Sequence, residues 1–140
     1  MLTNQQISEI EKKTGWEYNV KKDGGDKKFV VANIRQAASQ WNVGRFELVL
    51  LLQKSLKLAL WVDGDRKKVS NDVRLKLNGW APRGTKQVAP RATGKNDYGH
   101  AVDFILDILP SEVASKVNDV QRIVNEAQKK LHSVGVPVWP

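Results

Sequence analysis

Histidine, aspartate and asparagine crowd together once in this chain, in Lys95-Asn96-Asp97-Tyr98-Gly99-His100-Ala101-Val102-Asp103-Phe104, directly ahead of the apolar pair Ile105-Leu106. The stretch holds one of only two histidines. An imidazole and a carboxylate are donors that zinc takes, and a zinc-bound water becomes a nucleophile near neutral pH. The chain has no cysteine, so any metal must rely on His, carboxylate, amide or water ligands. The same residues also suit a buried segment, in which Gly99 and Ala101 permit close packing and Asp103 bonds to backbone N–H groups. In an extended strand Gly99, Ala101 and Asp103 share one face, and His100, Val102 and Phe104 share the other.

The elements that must position this stretch can be read on either side of it. Residues 81–95 carry Pro82, Gly84, Pro90 and Gly94 among Arg83, Lys86, Arg91 and Lys95, a long basic loop of the kind that is usually functional inside a compact domain. Arg83, Arg91, Lys95 and Asn96 are its candidate anion or substrate ligands. Before it, Val73, Leu75 and Leu77 alternate with polar neighbours and predict a strand over residues 72–80. After it, Pro110-Ser111-Glu112 opens an amphipathic helix with apolar residues at helical spacing, closed by Gly135. Upstream, Thr3-Asn4 and Gly15 bracket a helix over residues 4–14. Trp16, Tyr18 and Val20, then Gly24-Gly25, then Phe29-Val30-Val31 predict a hairpin. Residues 34–61 read as helical, with Leu48 to Leu52 apolar on every side as in a central core helix. The expected fold is therefore one α+β domain: an N-terminal helix and hairpin (1–33) and a main body (34–140), with a small antiparallel sheet, a long central helix and a C-terminal amphipathic helix.

Charge narrows the partners. Lys and Arg number 23 against 15 Asp and Glu, a net +8, which attracts nucleic acid, an anionic membrane or an acidic cell-wall polymer. The basic clusters are the turn at 21–28, residues 66–68 and the loop at 81–95. The N-terminus lacks the basic start and apolar core of a signal peptide. The longest apolar run, residues 48–60, is broken by Gln53, Lys54 and Lys57 and falls short of the roughly 20 residues that span a bilayer. The expectation is synthesis in the cytosol with no membrane span. Residues 34–46 have the outline of a helix-turn-helix, but the apolar run that follows lacks the polar face that reads bases. Asp63-Gly64-Asp65 opens like a calcium loop, yet Arg66, Lys67 and Lys68 fill the next ligand positions. His132 falls near the end of the last helix, where the dipole favours a cation.

A strand end at Asn78-Gly79-Trp80, a basic loop with Arg83, the run from Gly94 to Phe104, an amphipathic helix and then Gly135-Val136-Pro137-Val138-Trp139 together resemble the zinc D-alanyl-D-alanine carboxypeptidase and L-alanyl-D-glutamate endopeptidase family, which includes many phage endolysins. The likeness covers about residue 46 onward and is sharpest over 78–104. Gly99, Ala101 and Asp103 match the family's Ser-x-His-x-x-Gly-x-Ala-x-Asp motif, whereas Gly94 replaces its serine and Asn96 its zinc-binding histidine. The family's later motif, with a catalytic carboxylate and a last zinc histidine, has no counterpart. The resemblance implies a peptidoglycan-peptide hydrolase fold with zinc on Asp103, and the departures imply a degenerate or inactive relative. His100 is the other candidate metal ligand in the chain. The alternative reading is a basic, non-enzymatic protein that binds nucleic acid or assembles with itself or other subunits in a virion.

Overall fold

In a computed structural model, residues 2–20, 27–34, 45–63, 66–77, 79–88, 100–136 and 138 are described. Helix α1 (Asn4–Thr14) is followed by strands β1 (Glu17–Val20), β2 (Lys27–Ile34), β3 (Arg45–Leu52) and β4 (Leu56–Asp63). Then come helix α2 (Arg66–Leu77), strands β5 (Thr85–Val88) and β6 (His100–Leu106), and helix α3 (Val117–Ser133). The strands make one six-stranded sheet in the order β1-β2-β3-β4-β6-β5, and every pairing is antiparallel. The α+β class, the antiparallel sheet and the C-terminal helix thus agree with the sequence reading.

The expected central helix is replaced by strands. Residues 45–63 form a hairpin that pairs Leu52 with Leu56 and Arg45 with Asp63. A strand buried on both faces is a continuous apolar run, which periodicity alone does not separate from a buried helix. β3 is such a strand, closed to solvent from Phe46 to Leu51. The second correction is the mirror image of the first, because the strand expected over 72–80 is instead the end of α2. Val73 and Leu77 lie four residues apart and are buried together, while Leu75 between them is 71% exposed. That is helical spacing, and it defeats the alternation.

One face of the sheet carries the main core. Phe29, Leu48, Leu50, Leu58, Leu60, Val102 and Phe104 meet Ile10 of α1, Val73 and Leu77 of α2 and Val120, Ile123, Val124, Ala127 and Leu131 of α3 in a single cluster. Aromatic pairs fix its ends, Tyr18 and Trp16 tilting onto Phe29 at 5.3 and 5.9 Å and Trp80 standing edge-on to Phe104 at 5.8 Å.

Local signals hold the periphery in place. Thr3 and Gln6 cap α1 reciprocally, with Gln6 N–H donating to Thr3 Oγ1 at 3.1 Å and Thr3 N–H to Gln6 Oε1 at 2.9 Å, a capping box. Gly15 ends the helix at φ 77°, a left-handed turn that glycine adopts without a Cβ clash. Glu11 then accepts the N–H of Tyr18 at 3.1 Å, so the helix occupies a donor of edge strand β1 and blunts it against further pairing. Among the described residues no helix is long and apolar enough to cross a membrane.

Candidate functional site

The opposite face of the sheet has a different chemistry. A second, smaller cluster there joins Val49, Leu51 and Ala59 with Val30 and Trp61, and all five are strand residues. No described helix contributes to it. Residues paired across strands share a face, so the register lays this surface out in rows. The first is Lys28, Leu51, Lys57, Ile105 and Lys86. The second is Val30, Val49, Ala59, Asp103 and Val88. The third has Asn33, Glu47 and Trp61, with His100 paired to Trp61.

Two irregularities set the third row. The β2–β3 register shifts between Val30 and Ala32, which puts Val31 and Ala32 both in the main core and returns Asn33 to the polar face. The β4–β6 register shifts between Leu60 and Trp61, so strict alternation from Asp103 back to His100 fails. An extra residue in one strand of an antiparallel pair has this phase-changing effect.

Among the described residues, three ionisable side chains are buried on this face: Lys28, Glu47 and Asp103. Lys28 Nζ lies 3.1 Å from Glu47 Oε1, with the two side chains only 10% and 5% exposed, and 4.1 Å from the centre of the Trp61 ring. Lys28 is paired with Leu51, four residues from Glu47 on β3, a separation of roughly 13 Å along the strand. The ion pair therefore reaches along the sheet and not straight across it. The Lys28 ammonium thus meets both a carboxylate and an aromatic face, beside Val49, which has no exposed surface. Asn33 Oδ1 is buried near this cluster without a hydrogen-bond donor.

The two sequence candidates whose side chains are described, Asp103 and Arg83, do not converge on one place. Asp103 is buried on the polar face, with Ala59 and Val88 as cross-strand neighbours, neither of which can ligate a metal. His100 is the first residue of β6. Arg91, Lys95 and Asn96 lie outside the described residues, as do residues 21–26 of the basic turn at 21–28 and residues 35–44 of the helix-turn-helix outline at 34–46, whose described ends belong to β2 and β3. Arg83 precedes β5 at the end where Thr85 pairs with Leu106, whereas Asp103 pairs with Val88, roughly 10 Å further along the strand. Its backbone is fastened to α3: its N–H donates to Glu126 Oε2 at 3.1 Å and its carbonyl accepts from Arg122 at 3.2 Å. His132 is on the solvent side of α3, which packs against the other face of the sheet. Among the described residues no three His, Asp or Glu side chains gather as a metal site.

Two exposed carboxylates titrate below the usual range. Glu126 is lowered chiefly by the hydrogen bond from Arg122, 2.7 Å away, with the Arg83 N–H adding to it against partial desolvation. Glu112 is lowered by the Leu109 N–H at 2.9 Å and then by Lys116 at 3.0 Å. Both are structural ties of α3 and its lead-in. A furrow of about 460 Å³ beside them is lined by Asn118, Gln121, Arg122, Asn125, Glu126 and Lys129. All six come from one helix, so it is an open surface and encloses nothing.

What sequence reasoning missed is the lysine end of the polar face. Lys54, Lys57 and Lys86 make no ion pair with a described residue. Lys57 and Lys86 flank Ile105, and Lys54 sits in the adjoining turn between β3 and β4. The alternation of Leu56, Leu58 and Leu60 with Lys57 and Ala59 was the available signal. In comparisons with known proteins, no family model, no curated protein sequence and no solved structure matches this chain.

Proposed function

We propose that this is a non-enzymatic basic protein that binds nucleic-acid phosphates through the lysine end of the sheet face to which no described helix contributes. The observation that carries this reading is the row in which Lys57 and Lys86 stand on either side of Ile105 with no carboxylate in the row, Lys54 being exposed in the adjoining β3–β4 turn. Two acidic groups of that face are withdrawn, Glu47 onto Lys28 and Asp103 into the sheet, while Glu17, paired with Val30 on the far strand β1, and Asp107, just past β6, stay exposed. Among the described residues Lys57 and Lys86 have no ion-pair partner, and the chain as a whole is net +8, a charge that attracts a polyanion.

Binding of labelled DNA measured against salt tests it. The logarithm of the affinity should fall linearly with the logarithm of salt, by about 0.7 to 0.9 per phosphate neutralised. Lys57→Gln with Lys86→Gln should flatten that line. Absence of any binding at low salt would remove the proposal.

A second reading, a degenerate zinc-dependent peptidoglycan-peptide hydrolase, rests on one buried carboxylate of the matched motif, Asp103. Zinc content of the purified chain, together with amine release from peptidoglycan, tests it. Metal-free protein without turnover eliminates the active form.

A further inference from the structure

Resting on the nucleic-acid reading, we infer that the occupant of the lysine patch is a single strand laid across β4, β6 and β5, and that duplex is the weaker ligand. Neighbouring strands lie about 4.8 Å apart, so Lys57 and Lys86 rise roughly 10 Å from each other with Ile105 midway. Lys86 is exposed, and Lys57, Ile105 and the next row's Val88 are half-buried. Positive charge and accessible apolar surface thus alternate within a few ångströms.

A duplex meets only half of that surface. Its phosphates neutralise lysines, but its bases are stacked on one another, so Ile105 and Val88 would stay in water. Its major groove is about 12 Å wide and admits a helix or a two-stranded ribbon. The five strands from β2 to β5 span roughly 19 Å and do not enter it. A single strand brings phosphates for the lysines and unstacked base faces for the aliphatic side chains between them. A second copy of the chain is the wrong occupant, because it would set lysine against lysine. Trp61 is not the stacking platform, since the Lys28 ammonium already lies over its ring at 4.1 Å. Base contact through aliphatic groups alone implies little sequence preference.

Fluorescence anisotropy of the full chain with a short labelled mixed-sequence oligonucleotide, alone and annealed to its complement, reads this directly. The single strand should bind about tenfold tighter than the duplex, a difference of about 1.4 kcal/mol. Ile105→Ser should cost the single strand about fivefold and leave the duplex unchanged, because it removes apolar contact and no charge. If that variant unfolds, Val88→Ser on the edge strand gives the same readout. Lys57→Gln with Lys86→Gln should weaken both forms and reduce the single-strand salt slope by about 1.4. Equal or tighter duplex binding overturns the inference while leaving the phosphate-binding reading intact. So does displacement by polyglutamate of matched charge as efficient as by unlabelled single strand. If neither form of DNA binds at low salt, the phosphate-binding reading falls with it.

Discussion

The two faces of the sheet are made by the same strands, yet they bury different things. Toward the helices, β3 and β4 present Phe46, Leu48 and Leu50, then Leu56, Leu58, Leu60 and Val62, none more than 4% exposed. Away from them, the same strands present Glu47, Val49 and Leu51, then Lys57, Ala59 and Trp61. The first face is closed by a second layer of structure. On the second, Lys28 sets its ammonium between a carboxylate and an indole. A layer of helices stabilises by area removed from water. A buried ion pair must first recover the desolvation of both charges, so its net stabilisation is expected to be smaller.

The largest expected effect tests the helix-covered face. Phe104→Ala removes a fully buried ring that stands edge-on to Trp80, and denaturant melts should show a loss of about 3–5 kcal/mol. On the polar face, Glu47→Ala strips the Lys28 ammonium of the carboxylate 3.1 Å away. The loss should be about 3 kcal/mol, the lower end for breaking a buried pair, because both side chains keep a little exposure. The double change Lys28→Met with Glu47→Leu separates the two kinds of burial. It should return to within about 1 kcal/mol of the parent or exceed it. A double variant as unstable as Glu47→Ala would mean that the pair stabilises outright, and the contrast between the faces would collapse.

α2 offers a smaller version of the same test within one element. Val73→Ala should cost about 1–2 kcal/mol, because the side chain is wholly buried, whereas Leu75→Ala should stay within about 0.5 kcal/mol. Similar losses at both positions would favour the alternating strand that the sequence pattern predicts.

How much of this was legible follows from where each signal resides. The Thr3 cap and Gly15 stop mark α1 to the residue, and the glycine pair in the sequence between two short apolar runs marks the β1–β2 pairing, because these signals are local. The buried face of α3 is also plain, since Val117, Val120, Ile123, Val124, Ala127 and Leu131 repeat at helical spacing. Residues 45–63 misled because leucine suits a helix as well as a strand, and β3 is buried on both faces and shows no alternation. Val73 and Leu77 satisfy both periods, and only the burial of Leu75 decides between them. For the site, the orientation of Asp103 opposite Val102 and Phe104 was readable from a period of two. The Lys28–Glu47 pair spans 19 residues, and the Lys57-Ile105-Lys86 row joins three strands. Neither exists until register is fixed, and register depends on two bulges that no short motif announces.

The smallest effect concerns the tie that holds the segment before β5 against α3. The Arg122 guanidinium, with help from the Arg83 N–H, holds the Glu126 carboxyl below its usual range. A group whose folded value is depressed adds stability above its unfolded value and loses it as pH falls through the folded one. Wild type should therefore melt slightly above Glu126→Gln at neutral pH, and the gap should close as pH drops through and below the carboxylate range. The Arg122 and Glu126 side chains are 33% and 36% exposed, so solvent and salt screen the interaction and the gap should be small and shrink further in high salt. Phosphate binding by Lys57 and Lys86 should not change in this variant, because those lysines extend from the other face of the sheet. A Glu126→Gln protein that lost DNA binding in step with its stability would show that the two faces are coupled through β5, and would end the separation on which the functional reading depends.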